Sequence, residues 1–414
     1  MEAIKEHDKL IIRELAKRYM EYVTSEKQQK MIRRMRDIND LKVRRPAVLM
    51  DEIPWYQMNM DGELDCVCEG DRARGVEVWF RVNLFRIKHF RCDNLFEPVW
   101  KVRISYTSTG NGLSGNEKIV RTDDYNNIVA HEYHDVLEDE SALEKFHMPE
   151  FTLHPESDEE NMSFYTELLG DSMPVRLCGH DYIYFPPWDQ ISTLRGVEPI
   201  LFDMYDRPEY LHRIMEKIVA AETAELDFIE ANMPVDNTGS NLHCTPAYIS
   251  GLGSPDQGLK ATWFRTMAQM FSTVSPDMHE EFDLSYTAPM SERFAYTYYG
   301  CCEPLDNKIP ILKKNFKNLR KLGVSPWADV NSCAEQIGGD YVYSRKPNPA
   351  NVAVKTDPDI IRAEIEDTVK ACIRYGCPAE FVLKDISTVS NRPENLIVWA
   401  ETASSVIDEY YGED

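Results

Sequence analysis

From residue 173 onward the chain alternates short apolar runs with amphipathic helices, and few folds accommodate that rhythm. "MPVRLCG" (173–179), a run opening near Val235, "RFAYTYYG" (293–300), "LGVSPW" (322–327), "DYVYSRKP" (340–347) and "AEFVLKD" (379–385) read as strands. Two clear helices lie among them. In 206–233, Asp206 is placed to cap, Pro208 suits the first turn, and Leu211, Met215, Val219, Leu226 and Ile229 trace one apolar stripe. In 356–377, Asp357 caps, Ile361, Ile365, Val369 and Cys372 share a face, and Gly376 stops the helix. "ATWFRTMAQMFST" (261–273) also reads as helical. Alternation of this kind calls for a parallel sheet with crossover helices. Six such units, with strands expected near 47 and 97, make eight. The expected fold is an α/β (β/α)8 TIM barrel over residues 45–414. A doubly wound open sheet is the alternative, but no Gly-rich fingerprint follows the first strand. Residues 1–44 read as a helical extension, and the polar, Gly-rich stretch near 107–150 as a loop or hairpin insertion, with 107–127 suited to a lid.

Net charge narrows the partners. With 70 acidic and 46 basic residues the chain carries −24, which disfavours nucleic acid and anionic membrane surfaces alike. The N-terminus is charged from its second residue and no long apolar run exists, so a cytoplasmic location is expected. The ten cysteines lack a disulfide-framework spacing and read as reduced thiols. Whether the chain forms a homodimer is left open.

In such barrels chemistry gathers where strands end. Polar clusters fall there at Gly179–Tyr182, Asn241–Cys244, Cys301–Glu303, Ser325–Asp329 and Lys384–Ser387, with Tyr343, Arg345 and Lys346 after another strand. Cys302 is a candidate thiolate ligand, joined by His243, Cys244 and either Asp385 or Glu303, since zinc needs three N, S or O donors and an open position. Adjacent strand residues point to opposite faces, so Cys301 and Cys302 share a face only if the chain turns there. Cys333, Cys372 and Cys377 read as core, and His131, His134 and His147 as surface. His180 and His243 read equally as site or as packed histidines. Tyr182, Trp188, Trp327 and Tyr343, with His180 and Arg345, are candidate substrate-binding residues.

Several stretches resemble the uroporphyrinogen decarboxylase superfamily: "GHDYIYFPPWDQISTLRGVEPILFDMYDRPEYLHRIM" (179–215), "LGVSPWADVNSCAEQIGGDYVYSRKPNPANV" (322–352) and "RPENLIVWAETA" (392–403), in the family's order across about 45–414. The resemblance implies a TIM barrel and one of two chemistries. Decarboxylation of uroporphyrinogen uses an Arg-rich segment after the first strand. Here that position reads "DEIPWYQMN" (51–59), with two acids and no arginine, which disfavours it. The other chemistry is methyl transfer to or from the cobalt of a corrinoid carried by a partner protein, on a zinc held by His-x-Cys and a later Cys. Cys302 matches the first cysteine, Gly300 stands where the histidine would be, and Asp385 where the last cysteine would be. These departures favour a donor-side enzyme that moves methyl from a small O-methyl or N-methyl compound, an aryl methyl ether included, to a corrinoid protein. Glu303, Asp385, Lys384 and Tyr299 are the candidate catalytic residues for protonating the leaving group. An acceptor-side transferase to a thiol or folate, and a non-catalytic barrel that binds a corrinoid partner or small ligand, are the rivals.

Overall fold

A computed structural model describes residues 4–120, 130–239 and 242–412. Among these residues thirteen strands run in chain order: β1 Ala47–Met50, β2 Trp100–Arg103, β3 Tyr106–Ser108, β4 Asn116–Val120, β5 Ala130–His134, β6 Phe151–Leu153, β7 Val175–Cys178, β8 Tyr182–Tyr184, β9 Trp263–Thr266, β10 Tyr296–Tyr299, β11 Leu319–Val324, β12 Val342–Arg345 and β13 Ala379–Leu383. Seven form one parallel sheet in the order β1-β13-β12-β11-β10-β9-β8, and β2 pairs in parallel with β7. The hairpins β3–β6 and β4–β5 make up the insertion. Strands β9, β12 and β13 are buried at every residue, as expected where helices cover one face and a filled interior the other. Among the described residues no helix is long and apolar enough to cross a membrane.

The sheet curls as a TIM-like barrel does, but it does not close. Among the described residues β1 and β2 share no ladder. The free edge of β1 is satisfied otherwise. The Asp93 amide donates to the Val48 carbonyl (2.6 Å), and the Val48 amide donates to the Asp93 carboxylate (2.8 Å). The Asn94 side chain accepts from the Met50 amide (3.2 Å) and donates to its carbonyl (3.0 Å). Two residues thus do for β1 what a neighbouring strand would do.

A chain segment, residues 242–250, fills the interior. His243 lies 3.6 Å from Glu52, just past the end of β1. Thr245 donates to Glu380 (2.8 Å) in mid-barrel, and the Ala247 carbonyl accepts from the indole of Trp263 at the start of β9 (3.1 Å). The Tyr248 carbonyl accepts from Asn39 (2.7 Å) and the Ser250 amide donates to Asp40 (2.8 Å), at the end of the N-terminal helix Glu26–Asn39. The segment therefore descends from the C-terminal mouth to the floor. Lys321 and Glu380 meet it at Thr245, and Ser344 donates to Glu380 behind them, polar side chains that a barrel packed only with apolar layers would not carry.

Two expected elements and one cap are corrected. The run opening near Val235 is not a strand; it lies against β7, close enough that a Cβ on Gly179 would meet the Pro234 carbonyl at 1.7 Å. The stretch read as helix at 261–273 instead holds β9 and a short 3-10 turn, Gln269–Thr273. The helix expected at 206–233 is present as Pro208–Asn232, with Pro208 in its first turn, but Arg207 and not Asp206 precedes it, and Asp206 ends the helix before it, Val197–Asp206. The caps at Asp329, Asp357 and Gly376 are present. Part of the 107–127 stretch, and Asn241, lie outside the described residues.

Candidate functional site

The strand ends bring one cluster together. Gly300, at the end of β10, has φ +96, and a Cβ there would meet the Leu305 side chain at 2.6 Å. Any side chain is strained at that φ, which favours glycine here over the histidine ligand that the sequence resemblance implied. The turn it makes puts both thiols of Cys301 and Cys302 on the mouth, 3.5 Å apart. Cys302 lies 2.9 Å from the Asp385 carboxylate. Its one proton serves either Cys301 or Asp385, not both. The buried Lys384 donates to the Cys301 sulfur (3.2 Å) and stands 3.5 Å from both Glu52 and Asp385. Glu52 ties the sides together, accepting from the Asp385 amide (2.9 Å) and from the Cys244 thiol (3.4 Å).

Glu52 (φ +50), His243 (φ +49) and Asp385 (φ +57) all adopt the left-handed conformation. Each costs on the order of 1–3 kcal/mol, and such residues collect where side-chain placement matters more than local stability. Ligand atoms of Glu52, His243 and Cys244 lie within 4.8 Å of one another. Burial first, then Arg265 and Lys384, lowers the His243 imidazole to about 3, so it is neutral and free to ligate. Its ring stacks on Tyr184 at 5.4 Å between centroids. Carboxylate, imidazole and thiol are donor types that suit zinc. Cys302 and Asp385, expected as ligands, form a separate pair outside this triad.

Charge is balanced locally. The Cys302 hydrogen bond, against burial and with help from Lys384, Arg265 and Lys346, draws the Cys301 thiol down to about 5. Burial opposes the Lys384 charge, but Cys301, Cys244, Asp385 and Glu52 outweigh it and hold the ammonium protonated. Burial and Cys301 push Glu303 up to about 7 while its carboxylate accepts from the Cys301 amide (2.9 Å). Arg265, fully buried, donates to the Gly300 carbonyl (3.1 Å) and covers the Tyr298 ring at 4.5 Å.

The remaining candidates lie elsewhere. Tyr299 alternates with the inward Tyr298 and so faces the helices, where its hydroxyl lies 2.6 Å from His279 and donates to Asp283 (2.7 Å). Trp188 is core, packed on Phe271, and Tyr343 is core, bonded to the Val330 carbonyl. Arg345 braces the Ser325 carbonyl and Glu364. Tyr182 packs inside against Leu242 and Trp263. His180 lies in a second cleft with Tyr106 and Glu225. Trp327 stands on the rim, 69% exposed. Glu52 and Arg265 were not anticipated. The signal for Glu52 was its place directly after β1; Arg265 was hidden by the helical reading of 261–273.

Glu303 yields a pH prediction. Between about pH 4.5 and 7 the folded chain keeps a proton that the unfolded chain releases, so stability falls as pH rises through that window and is level above it. Glu303→Gln mimics the protonated state. It is expected to raise stability by roughly 3 kcal/mol at pH 8 and by almost nothing at pH 4, read from urea midpoints. An equal effect at both pH values would contradict this.

No protein-family profile matches the chain, and no curated protein matches it. Among solved structures 17 chains match. One, described as a methyltransferase from Methanosarcina mazei, aligns with TM-score 0.48 at 12% identity, over 92% of this chain and 99% of that one.

Proposed function

We propose that the protein is a corrinoid-dependent methyltransferase of the donor side, a cytoplasmic enzyme that moves a methyl group from a small O-methyl or N-methyl compound to the cobalt of a partner corrinoid protein. The sequence resemblance supports the reaction class. The observation that carries the site is the convergence of three left-handed residues, Glu52, His243 and Asp385, on two thiols and a buried lysine at the strand ends. The closed eight-stranded barrel of that family is the architecture from which this curled sheet is proposed to derive.

The reaction is a displacement. Cobalt(I) supplies the electron pair of the new carbon–cobalt bond and becomes cobalt(III). The donor's carbon–oxygen or carbon–nitrogen bond breaks, and its pair stays on the leaving atom, which takes up one proton. Such leaving groups depart poorly without help. Glu52, His243 and Cys244 would hold zinc, whose chemistry there is Lewis-acid withdrawal of the developing charge. The chain's own part is the proton and its placement. Lys384, protonated and fixed among Glu52, Asp385 and Cys301, is the donor. Asp385 and Glu52 orient it, the Cys301 thiolate holds it by charge, and the neutral Lys384 amine takes the proton back when the reaction reverses.

The test is spectral. Adding this protein and a methylated donor to a cobalt(I) corrinoid protein should convert its absorption to that of methylcobalt(III). If no methylated donor does so, while methylcobalt(III) is demethylated by a thiol or folate, the acceptor-side reading replaces this one. No change in either direction leaves a binding barrel.

A further inference from the structure

A cleft of about 380 Å³ opens along the unpaired seam between β1 and β2. Cys244 belongs both to its wall and to the Glu52–His243–Cys244 triad, so whatever fills it touches the site. Its walls are aromatic: Tyr19, Trp79, Phe96, Trp100 and Tyr248. Trp79 packs on Tyr19 (5.0 Å) and edge-on against Trp100 (5.1 Å), which fixes the rings. Gly239 (φ +95) completes the wall, since a Cβ there would strike the Tyr248 ring at 2.2 Å.

The charges lining the cavity are already paired. Arg86 meets Asp51 at 3.0 Å; Lys101 meets Glu97 at 2.7 Å and Asp236 at 2.9 Å. Both ends of the Asn94 side chain are spent on Met50, and the Asn83 amide donates to the Trp79 carbonyl (2.8 Å). An anionic ligand would find the Arg86 Nε–H without a hydrogen-bond partner, but would meet the Asp51 and Glu97 carboxylates beside it. A cationic one would find aromatic faces, but its carboxylates already engaged. A flat neutral ring gains stacking and burial and breaks nothing. The volume lies at the lower end for ligand pockets and admits a single substituted ring.

The geometry points to this seam cavity as the binding site for a neutral methoxyarene, held between Trp79, Trp100 and Tyr248 with its ether oxygen at Cys244. This rests on the methyl-transfer reading and narrows its donor class. It also gives the N-terminal extension a part in the site, since Tyr19, in the helix Glu6–Val23, supplies one wall.

Binding can be read without any corrinoid protein, by titrating 4-methoxyphenol into the protein and following tryptophan fluorescence, with tetramethylammonium and benzoate as cationic and anionic probes. Saturable binding of 4-methoxyphenol, at least about tenfold tighter than either ion, is expected. Asn83→Phe should fill the cavity from its helix and abolish binding, with unchanged circular dichroism as the check on folding. Trp100→Ala should weaken binding about tenfold, while Tyr205→Ala, 79% exposed on another helix, should not. No binding to the wild type, equal binding to Asn83→Phe, or preference for either ion would overturn the inference. Failure here with methyl transfer from an alkyl donor intact would sink the cavity alone. Binding here with a silent corrinoid spectrum would sink the methyl-transfer reading alone.

Discussion

Replacing His243 with glycine is expected to strip the protein of zinc while making its fold slightly more stable. The two effects have different origins. Zinc there would be held by three donors from two places in the chain, and removing the imidazole leaves Glu52 and Cys244, too few to keep it. Affinity should fall by about 100-fold or more, since even the residues that only orient ligands cost 10–100-fold when lost. The backbone moves the other way. His243 sits at φ +49, where a Cβ is strained and glycine is not. Relief of about 1 kcal/mol is expected, against the loss of the Tyr184 stack. His243→Ala should lose the metal too, but without the gain. Metal content by elemental analysis and thermal midpoints of metal-free protein measure both. Cys302→Ser, outside the triad, should keep the zinc. If His243→Gly retains it and Cys302→Ser does not, Cys302 is a ligand, His243 is not, and the triad is wrong.

That contrast shows where the sequence was legible. Strand ends were readable because runs such as "AYTYYG" and "AEFVL" are apolar, β-prone and closed by polar residues. Placement at a common mouth then follows from parallel topology, which is why Cys302, Lys384, Asp385, His243 and Cys244 meet. Register within a strand was harder. Tyr298 and Tyr299 are chemically alike, and only the pleat sends one into the barrel and the other to His279 and Asp283. Two features were invisible for a deeper reason. "TWFRTMAQ" has apolar residues at spacings that serve a helix as well as a strand, and the choice is made by pairing with β8 and β10. The path of residues 242–250 through the barrel leaves no periodic trace. Without it, nothing says that His243 and Glu52 are neighbours.

The anchoring of that path supports the second large effect. Glu380→Leu is expected to destabilise the protein by about 3–5 kcal/mol, the range for breaking a buried ion pair from one side. Glu380 is wholly buried and accepts from Lys321 (2.9 Å), Ser344 (2.7 Å) and Thr245 (2.8 Å). Burial opposes its charge, but Lys321 and Lys346 hold it ionised. Its removal strands the Lys321 ammonium in a site with only Thr245 to accept its proton, and Lys346 loses its counter-charge beyond Ser344. Lys321→Met should cost less, because Lys346 still faces Glu380. Lys321→Met with Glu380→Leu should recover most of the loss, as apolar replacement of both partners leaves no charge uncompensated. A second consequence separates anchoring from general stability. Thr245 lies two residues from His243, so freeing it in Glu380→Leu should weaken zinc binding in the molecules that remain folded. Lys321→Met, which leaves the Thr245–Glu380 bond intact, should leave zinc binding unchanged. Urea midpoints give the cycle, and competition with a zinc chelator gives the affinity. A Glu380→Leu protein within about 1 kcal/mol of the wild type and with unaltered zinc affinity would mean that residues 242–250 are held in the barrel by packing alone.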